Sequence, residues 1–179
     1  SGKTEVYLRL IERALAGNRQ SLLLVPEINL TPQLEARVAA RFPGARLVSL
    51  HSELGDAARN RHWRAAHGGE ARIVLGTRLA VFTPLPELGL IVVDEEHDAS
   101  FKQQDGVRYS ARDLAVVRAR ERDVPIVLGS ATPSLETWAN ATGWVGRDRY
   151  HLLTLGKRAI EGADLPTVKR IDLRTDPAL

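Results

Sequence analysis

The sequence predicts an α/β fold in which a parallel sheet is covered by helices on both faces. Short apolar runs, such as 22–25 and 90–93, alternate with segments whose apolar residues recur at helical spacing. The runs are apolar throughout, which is typical of strands that are buried on both faces. Because these strands alternate with helices along the chain, we expect them to lie parallel to one another.

The predicted elements follow in order from these patterns and from their stop signals. A helix is expected at 5–16, where Gly17 and Asn18 end the pattern. The further predicted strands are 22–25, 47–50, 73–75, 90–93 and 126–128, and the further predicted helices begin after Thr31, at Asp56, at Ala111 and at Ser134. Residues 1–145 are therefore expected to form one lobe that lacks its first strand, and 146–179 an exit segment with possible strands at 150–155 and 168–173.

Composition limits the class of protein without selecting a function. The chain has 179 residues, of which 44% are hydrophobic and 26% charged, as in ordinary globular domains. Its formal charge of +3 permits a phosphate-rich partner but does not require one. It has no cysteine, which excludes disulfides and thiolate zinc sites. No apolar run approaches the length of a membrane helix, so we expect a cytoplasmic location.

The first four residues, Ser1, Gly2, Lys3 and Thr4, match the end of a phosphate-binding loop, and a predicted helix follows them directly. Backbone amides at a helix start attract phosphate, Lys3 can reach the β- and γ-phosphates of ATP, and Thr4 can reach Mg²⁺. These four residues alone are a weak signal. Since the first glycine of the loop and its preceding strand are absent, we expect the chain to be a piece of a longer protein.

An acidic motif of Asp94, Glu95, Glu96 and His97 follows the predicted strand at 90–93. Asp94 stands where nucleotide hydrolases place the acid that completes the Mg²⁺ shell, and Glu95 can orient or deprotonate the attacking water. The alternative is a solvated acidic turn, although adjacent carboxylates repel one another unless a cation is present. His97 is either a surface histidine or a residue that couples this motif to another.

Polar clusters at 26–27, 76–78, 94–97 and 129–132 each follow a predicted strand and are expected to meet at one edge of the sheet. Segment 101–109 directly follows the acidic motif. Ser130 and Thr132 offer hydroxyls for a relay between nucleotide and polymer, or they belong to a turn that caps the next helix. The segment 101–109 mixes aromatic, amide and basic side chains that could contact nucleic acid, although such a segment is also compatible with an ordinary surface loop.

Taken together, the motifs resemble those of superfamily 2 helicases, and within them the primosomal protein N′ family of replication-restart DNA helicases. The resemblance runs from Ser1 to at least Thr137 and is carried by 1–4, 26–33, 76–78, 94–98 and 129–133. Segment 26–33, with the sequence Pro-Glu-Ile-Asn-Leu-Thr-Pro-Gln, is its most particular part.

The resemblance implies a RecA-like P-loop lobe of an ATP-dependent, 3′-to-5′ helicase that assembles the primosome and restarts stalled forks. It implies forked and single-stranded DNA and other replication proteins as partners, and ATP and Mg²⁺ as cofactors, with zinc in the parent protein only. Lys3, Asp94, Glu95, His97, Ser130 and Thr132 would be catalytic. The implied DNA contacts are Pro26, Thr31, Gln33, Thr77, Arg78, Phe101, Lys102, Arg108 and Tyr109.

Two departures from that family matter. Val107 stands where the family commonly has tryptophan, which leaves Phe101 and Tyr109 as candidates for stacking on a base. The second lobe and the zinc module are absent, so we expect negligible ATPase activity from this chain alone. The competing interpretations are another superfamily 2 translocase or RNA helicase, and a nucleotide-gated DNA-binding module without productive hydrolysis.

Overall fold

The computed structural model describes residues 2–144 and 150–156. Helices and strands follow one another in the order α1 (Lys3–Ala16), β1 (Gln20–Leu24), α2 (Pro32–Arg41), β2 (Leu47–Leu50), α3 (Asp56–His67), β3 (Ile73–Gly76), β4 (Leu88–Asp94), β5 (Lys102–Gln103), β6 (Tyr109–Ser110), α4 (Ala111–Arg122), β7 (Ile126–Gly129) and α5 (Leu135–Thr142). Short 3₁₀ helices lie at Glu27–Asn29, Arg78–Phe82 and Ala99–Phe101.

The main sheet has five strands in the order β2-β3-β1-β4-β7, and every neighbouring pair is parallel. The predicted fold class is confirmed, and each predicted strand of this sheet lies within two residues of an observed one. β1 is buried along its whole length between β3 and β4.

The apolar runs of the sequence arise because alternate residues of one strand enter two different cores. Leu22 and Leu24 of β1 pack on one face, against alanines of α3 and α4. Leu23 of the same strand points to the other face, toward Tyr7 and other buried residues of α1 and α2. A strand covered on both faces has no position for a polar residue in its centre.

Two details differ from the sequence prediction. Residues 150–156 are described but form no strand, so the strand proposed at 150–155 is wrong, and the one at 168–173 lies outside the described residues. The segment treated as a loop contains the antiparallel pair β5 and β6, in which Gln103 lies opposite Tyr109. In residues 2–144 and 150–156, every helix is too short or too polar to span a bilayer.

Candidate nucleotide and nucleic-acid site

The candidate site lies at the carboxyl edge of the sheet, where the ends of β4 and β7 meet. Asp94, the last residue of β4, pairs in register with Gly129, the last residue of β7. The start of α1 faces the same edge. Ligands of parallel α/β sheets bind at such edges, so the fold brings together the loop remnant, the acidic motif and the segment after β7.

The loop remnant begins α1 with Gly2 as its N-cap and lies against the acidic motif. The Lys3 ammonium donates a hydrogen bond to Glu95 Oε1 at 2.5 Å and lies 4.0 Å from Asp94 Oδ1. Thr4 follows on the same turn and is partly exposed, while Ser1 lies outside the described residues. The lysine predicted to bind phosphate and both predicted catalytic carboxylates are therefore in one cluster.

Tyr7 is a site residue that the sequence prediction missed. Its hydroxyl donates a hydrogen bond to Asp94 Oδ1 at 2.8 Å, and the side chain is buried. Burial, followed by the charge of Asp94, raises the pKa of the Tyr7 phenol far above its ordinary range, so the hydroxyl stays a donor. Tyr7 lies one helical turn after Lys3, and this spacing was the signal that could have revealed it.

Gly129 makes room for that tyrosine. A Cβ built on Gly129 would lie 1.7 Å from the Tyr7 hydroxyl oxygen and 2.8 Å from its ring carbon Cζ. Any larger residue at 129 would displace Tyr7 from Asp94, because real Cβ atoms do not approach other atoms so closely. Gly129 at the end of β7 therefore allows Tyr7 to donate its hydrogen bond to Asp94 at the end of β4.

Glu95 lies between the loop remnant and the histidine of the acidic motif. Its backbone has φ of +48°, a left-handed conformation that costs a non-glycine residue on the order of 1 kcal/mol. Its carboxylate bonds Lys3 through Oε1, while Oε2 lies 3.7 Å from His97 Nδ1. This backbone conformation places the carboxylate between the Lys3 ammonium and the His97 ring.

His97 connects the acidic motif with the segment after β7. Its Nδ1 lies 2.6 Å from Ser130 Oγ, and its Nε2 lies 3.4 Å from Thr132 Oγ1. Ser130 Oγ also accepts a hydrogen bond from the Thr132 backbone amide at 2.9 Å. Of the two interpretations that the sequence left open for His97, these contacts favour the coupling residue.

Glu96 anchors the acidic motif to α4 and α5 from inside the protein. Its fully buried carboxylate accepts hydrogen bonds from the Ser134 amide at 2.7 Å and from Thr137 Oγ1 at 2.9 Å. Ser134 Oγ at 3.1 Å and Arg112 Nη1 at 3.2 Å contact the same carboxylate. Because Ser134 is the N-cap of α5, Glu96 fixes where the segment from 130 leads into that helix.

The three adjacent carboxylates do not share one cation, as the sequence argument had assumed. Tyr7 donates to Asp94, Lys3 pairs with Glu95, and Arg112 pairs with Glu96. Lys3 also lies 4.0 Å from Asp94 Oδ1, so Asp94 and Glu95 share this cation, whereas Glu96 is paired with Arg112 inside the protein. Repulsion between neighbouring acids therefore does not indicate Mg²⁺ at this position. Only the ligand atoms that the site offers can indicate it.

The predicted DNA contacts divide into buried and accessible side chains. Phe101 is 1% exposed and belongs to the core, so the prediction that it stacks on a base is wrong. The side chains of Pro26 and Thr77 are also buried, so their predicted contacts with DNA stay predictions that only the backbone could fulfil. The apolar surroundings of these residues were not visible in a linear motif.

The accessible candidates lie on two surfaces. Gln33 is exposed on α2, and Thr31 caps that helix by accepting a hydrogen bond from the Leu34 amide at 3.2 Å. Arg78 donates to the backbone oxygen of Ser100 at 3.1 Å and so holds the segment after the acidic motif. The remaining candidates line a hollow of about 590 Å³ beside β5 and β6, whose lining includes Lys102, Gln103, Gln104, Asp105, Arg108, Tyr109 and Ser110.

Comparison with known proteins matches this edge to a helicase family. The family profile named DEAD/DEAH box helicase matches residues 1–141, which include the loop remnant, the acidic motif and the segment after β7. The chain belongs to the DEAD/DEAH box helicase family. Membership implies the use of a nucleotide and Mg²⁺ in general.

Similar curated proteins are much longer than this chain. The replication restart protein PriA of Bacillus subtilis is 43% identical over 176 residues, which are 98% of this chain and 21% of that protein. The protein of the same name from Haemophilus influenzae is 50% identical over 159 residues, which are 89% of this chain and 21% of that protein. The chain thus spans about a fifth of these relatives.

Solved structures with the same fold include other helicase-like domains. RecG bound to a three-way DNA junction aligns with a TM-score of 0.55 at 22% identity, covering 79% of this chain and 18% of that one. The C-terminal part of the Fun30 ATPase domain aligns with a TM-score of 0.54 at 14% identity, covering 76% of this chain and 43% of that one. At these identities the likeness extends to the fold alone.

The donor set of this helicase site fits Mg²⁺ held together with a nucleotide. Among the described residues, no three histidine or acidic side chains converge on a metal position. Mg²⁺ in nucleotide hydrolases usually takes one or two protein ligands, with phosphate oxygens and water completing its shell. Asp94, which lies 4.0 Å from Lys3, and Thr4, which follows Lys3 in α1, offer a carboxylate and a hydroxyl that match this requirement.

Proposed function

We propose that this chain is the first RecA-like lobe of an ATP-dependent 3′-to-5′ DNA helicase that assembles the primosome and restarts stalled replication forks. The proposal assigns 1–145 to the lobe and 146–179 to an exit segment that leads toward a zinc module and a second lobe of a longer cytoplasmic protein. The relatives called replication restart protein PriA support the process and the longer chain.

One observation carries the proposal: a line of contacts that joins the nucleotide end of the site to its polymer end. Lys3 bonds Glu95, Glu95 lies 3.7 Å from His97, and His97 contacts both Ser130 and Thr132. A nucleotide-binding residue and two hydroxyls of the following segment are thus joined through one carboxylate and one imidazole. A hydrolase that drives movement along a polymer needs a connection of this kind.

In the proposed mechanism, the amides of Gly2 and Lys3 and the Lys3 ammonium hold the phosphates of ATP at the start of α1. When bound, Mg²⁺ would neutralise negative charge that develops on the transferred phosphoryl group. Thr4 and Asp94 would hold the metal, and Tyr7 orients Asp94 through its 2.8 Å hydrogen bond. The movement of Lys3 onto the phosphates releases Glu95 Oε1.

The released Glu95 then serves as the group that orients and deprotonates the attacking water. A proton taken up by Glu95 changes its attraction for His97, whose ring nitrogens contact Ser130 and Thr132. Displacement of these hydroxyls alters the start of α5, which Glu96 holds through Ser134. Hydrolysis and the position of the polymer-facing segment are coupled in this way.

A strand-displacement assay with the longer protein that contains this lobe tests the proposal. The substrates are DNA duplexes with a 3′ or a 5′ single-stranded extension, a DNA fork and an RNA duplex of the same sequence. We expect ATP-dependent unwinding of the fork and of the 3′-extended DNA. Unwinding of RNA alone, or only from a 5′ extension, would refute the assigned substrate or direction.

A further inference from the structure

Phe82 is an exposed aromatic residue to which no role has yet been given. It is the last residue of the 3₁₀ helix Arg78–Phe82, and its side chain is 52% exposed, although Val81 and Ala80 before it are buried. Leu79 precedes it by three residues and is 55% exposed. Residues three apart lie on one side of a 3₁₀ helix, so Leu79 and Phe82 form a shared apolar surface.

The backbone around Phe82 is held firmly. The guanidinium of Arg118, from α4, donates to the backbone oxygens of Val81 and Thr83, both at 2.6 Å. The ring of Phe82 meets that of Tyr109 in an edge-to-face contact, with centroids 5.1 Å apart and planes at 70°. This arrangement fixes the ring while half of its surface stays accessible. A fixed aromatic ring loses little conformational entropy when a base stacks on it.

Tyr109 connects this ring with the hollow beside β5 and β6. It lines the hollow of about 590 Å³ together with the exposed cations Lys102 and Arg108, one exposed acid, Asp105, and the amides of Gln103 and Gln104, so the cations outnumber the acid. The Tyr109 hydroxyl is buried and makes no hydrogen bond among the described residues. Aromatic rings next to cations and amides are the chemistry with which proteins bind single-stranded nucleic acid.

We propose that Phe82 stacks on a base of single-stranded DNA whose backbone crosses the hollow beside β5 and β6. Lys102 and Arg108 contact the phosphates, and Phe82 takes the stacking role that the buried Phe101 cannot fill. The inference rests on the proposed DNA helicase function and adds a residue and a mode of contact to it. It explains why an apolar ring is kept rigid and exposed next to a cationic hollow.

The test measures binding of fluorescein-labelled oligo-dT by fluorescence anisotropy, with the longer protein that contains this chain. Phe82→Ala should weaken binding about 5- to 140-fold, the range expected for loss of one base stack. Phe82→Trp should retain binding, because stacking needs an aromatic face. Trp138→Ala is the matched control: this residue is 42% exposed on α5 and should leave affinity unchanged.

A set of oligonucleotides that each carry one abasic position tests the stack itself. At the position that faces Phe82, loss of the base should weaken wild-type binding as much as Phe82→Ala does, and the two losses should not add. The inference is refuted if the wild type and Phe82→Ala bind the oligonucleotide equally well. It is also refuted if the loss of affinity at every abasic position adds to that of the variant. In both cases the helicase proposal stands. If the wild type binds no single-stranded DNA, the proposed function itself fails.

Discussion

The buried carboxylate of Glu96 offers the sharpest test of how the site is held together. In Glu96→Gln the side chain keeps its shape, and Oε1 can still accept from the Ser134 amide. The new amide group, however, faces Arg112 Nη1, which can only donate. The hydroxyls of Ser134 and Thr137 can rotate to accept hydrogen bonds from the new amide. The Arg112 guanidinium cannot, so it is the group that loses a partner.

The size of the effect follows from burial. Glu96 is fully buried at its side chain and Arg112 is 11% exposed there, and breaking such a buried pair costs about 3–5 kcal/mol. Arg112 keeps two other carboxylates, since its Nε donates to Asp113 Oδ1 at 2.8 Å and its Nη1 lies 3.8 Å from Glu136 Oε2. We therefore expect a loss near the lower limit, about 3 kcal/mol in the free energy of unfolding.

Urea unfolding followed by far-ultraviolet circular dichroism measures this loss. With a slope of about 2 kcal/mol per molar, the midpoint of Glu96→Gln should fall by about 1.5 M. Asp113→Asn is the matched control, because it neutralises an exposed partner of the same arginine and should cost at most about 1 kcal/mol. Equal losses in the two variants would refute the view that Glu96 is the anchor.

Two further predictions concern the pair of Tyr7 and Gly129. Gly129→Ala should lower the free energy of unfolding by about 1–3 kcal/mol through overpacking. In a Tyr7→Phe background the same substitution should cost less, because the hydroxyl oxygen nearest to the new Cβ is gone. Urea unfolding of the double-mutant cycle measures this difference, and additive losses would contradict it. Burial raises the folded-state pKa of Tyr7 above its ordinary value of 10.0, so its contribution to stability is complete below about pH 10 and is lost as pH rises beyond it. Tyr7→Phe should therefore show a decline in unfolding free energy that is shallower by about 1.4 kcal/mol per pH unit above pH 10, and identical slopes in urea titrations would exclude this role.

The sequence was sufficient to predict the sheet, because period and composition determine which strands are buried on both faces. It also predicted that Asp94, Glu95 and His97 would meet Lys3 and Ser130, since the carboxyl ends of parallel strands share one edge. These predictions used local patterns whose spatial meaning does not depend on distant parts of the chain.

Side-chain direction was beyond the reach of the linear motif. Phe101 was expected to stack on a base because it lies in a segment of aromatic, amide and basic side chains, yet the 3₁₀ helix Ala99–Phe101 directs its ring into the core. Tyr7 was overlooked because its partner lies 87 residues away in sequence. The separate partners of the three carboxylates likewise come from α1, α4 and α5, and only the folded chain brings them together.

In the proposed function, Glu95 activates the attacking water and, through His97, couples ATP hydrolysis to DNA. ATP hydrolysis by the longer protein is followed by phosphate release with and without forked DNA, for the wild type and for Glu95→Gln, with nucleotide binding measured in parallel. We expect DNA to stimulate the wild type, and Glu95→Gln to lower turnover about 10²- to 10⁴-fold while it still binds ATP. Full turnover by Glu95→Gln, or DNA binding by a wild type that never hydrolyses ATP, would contradict the claim.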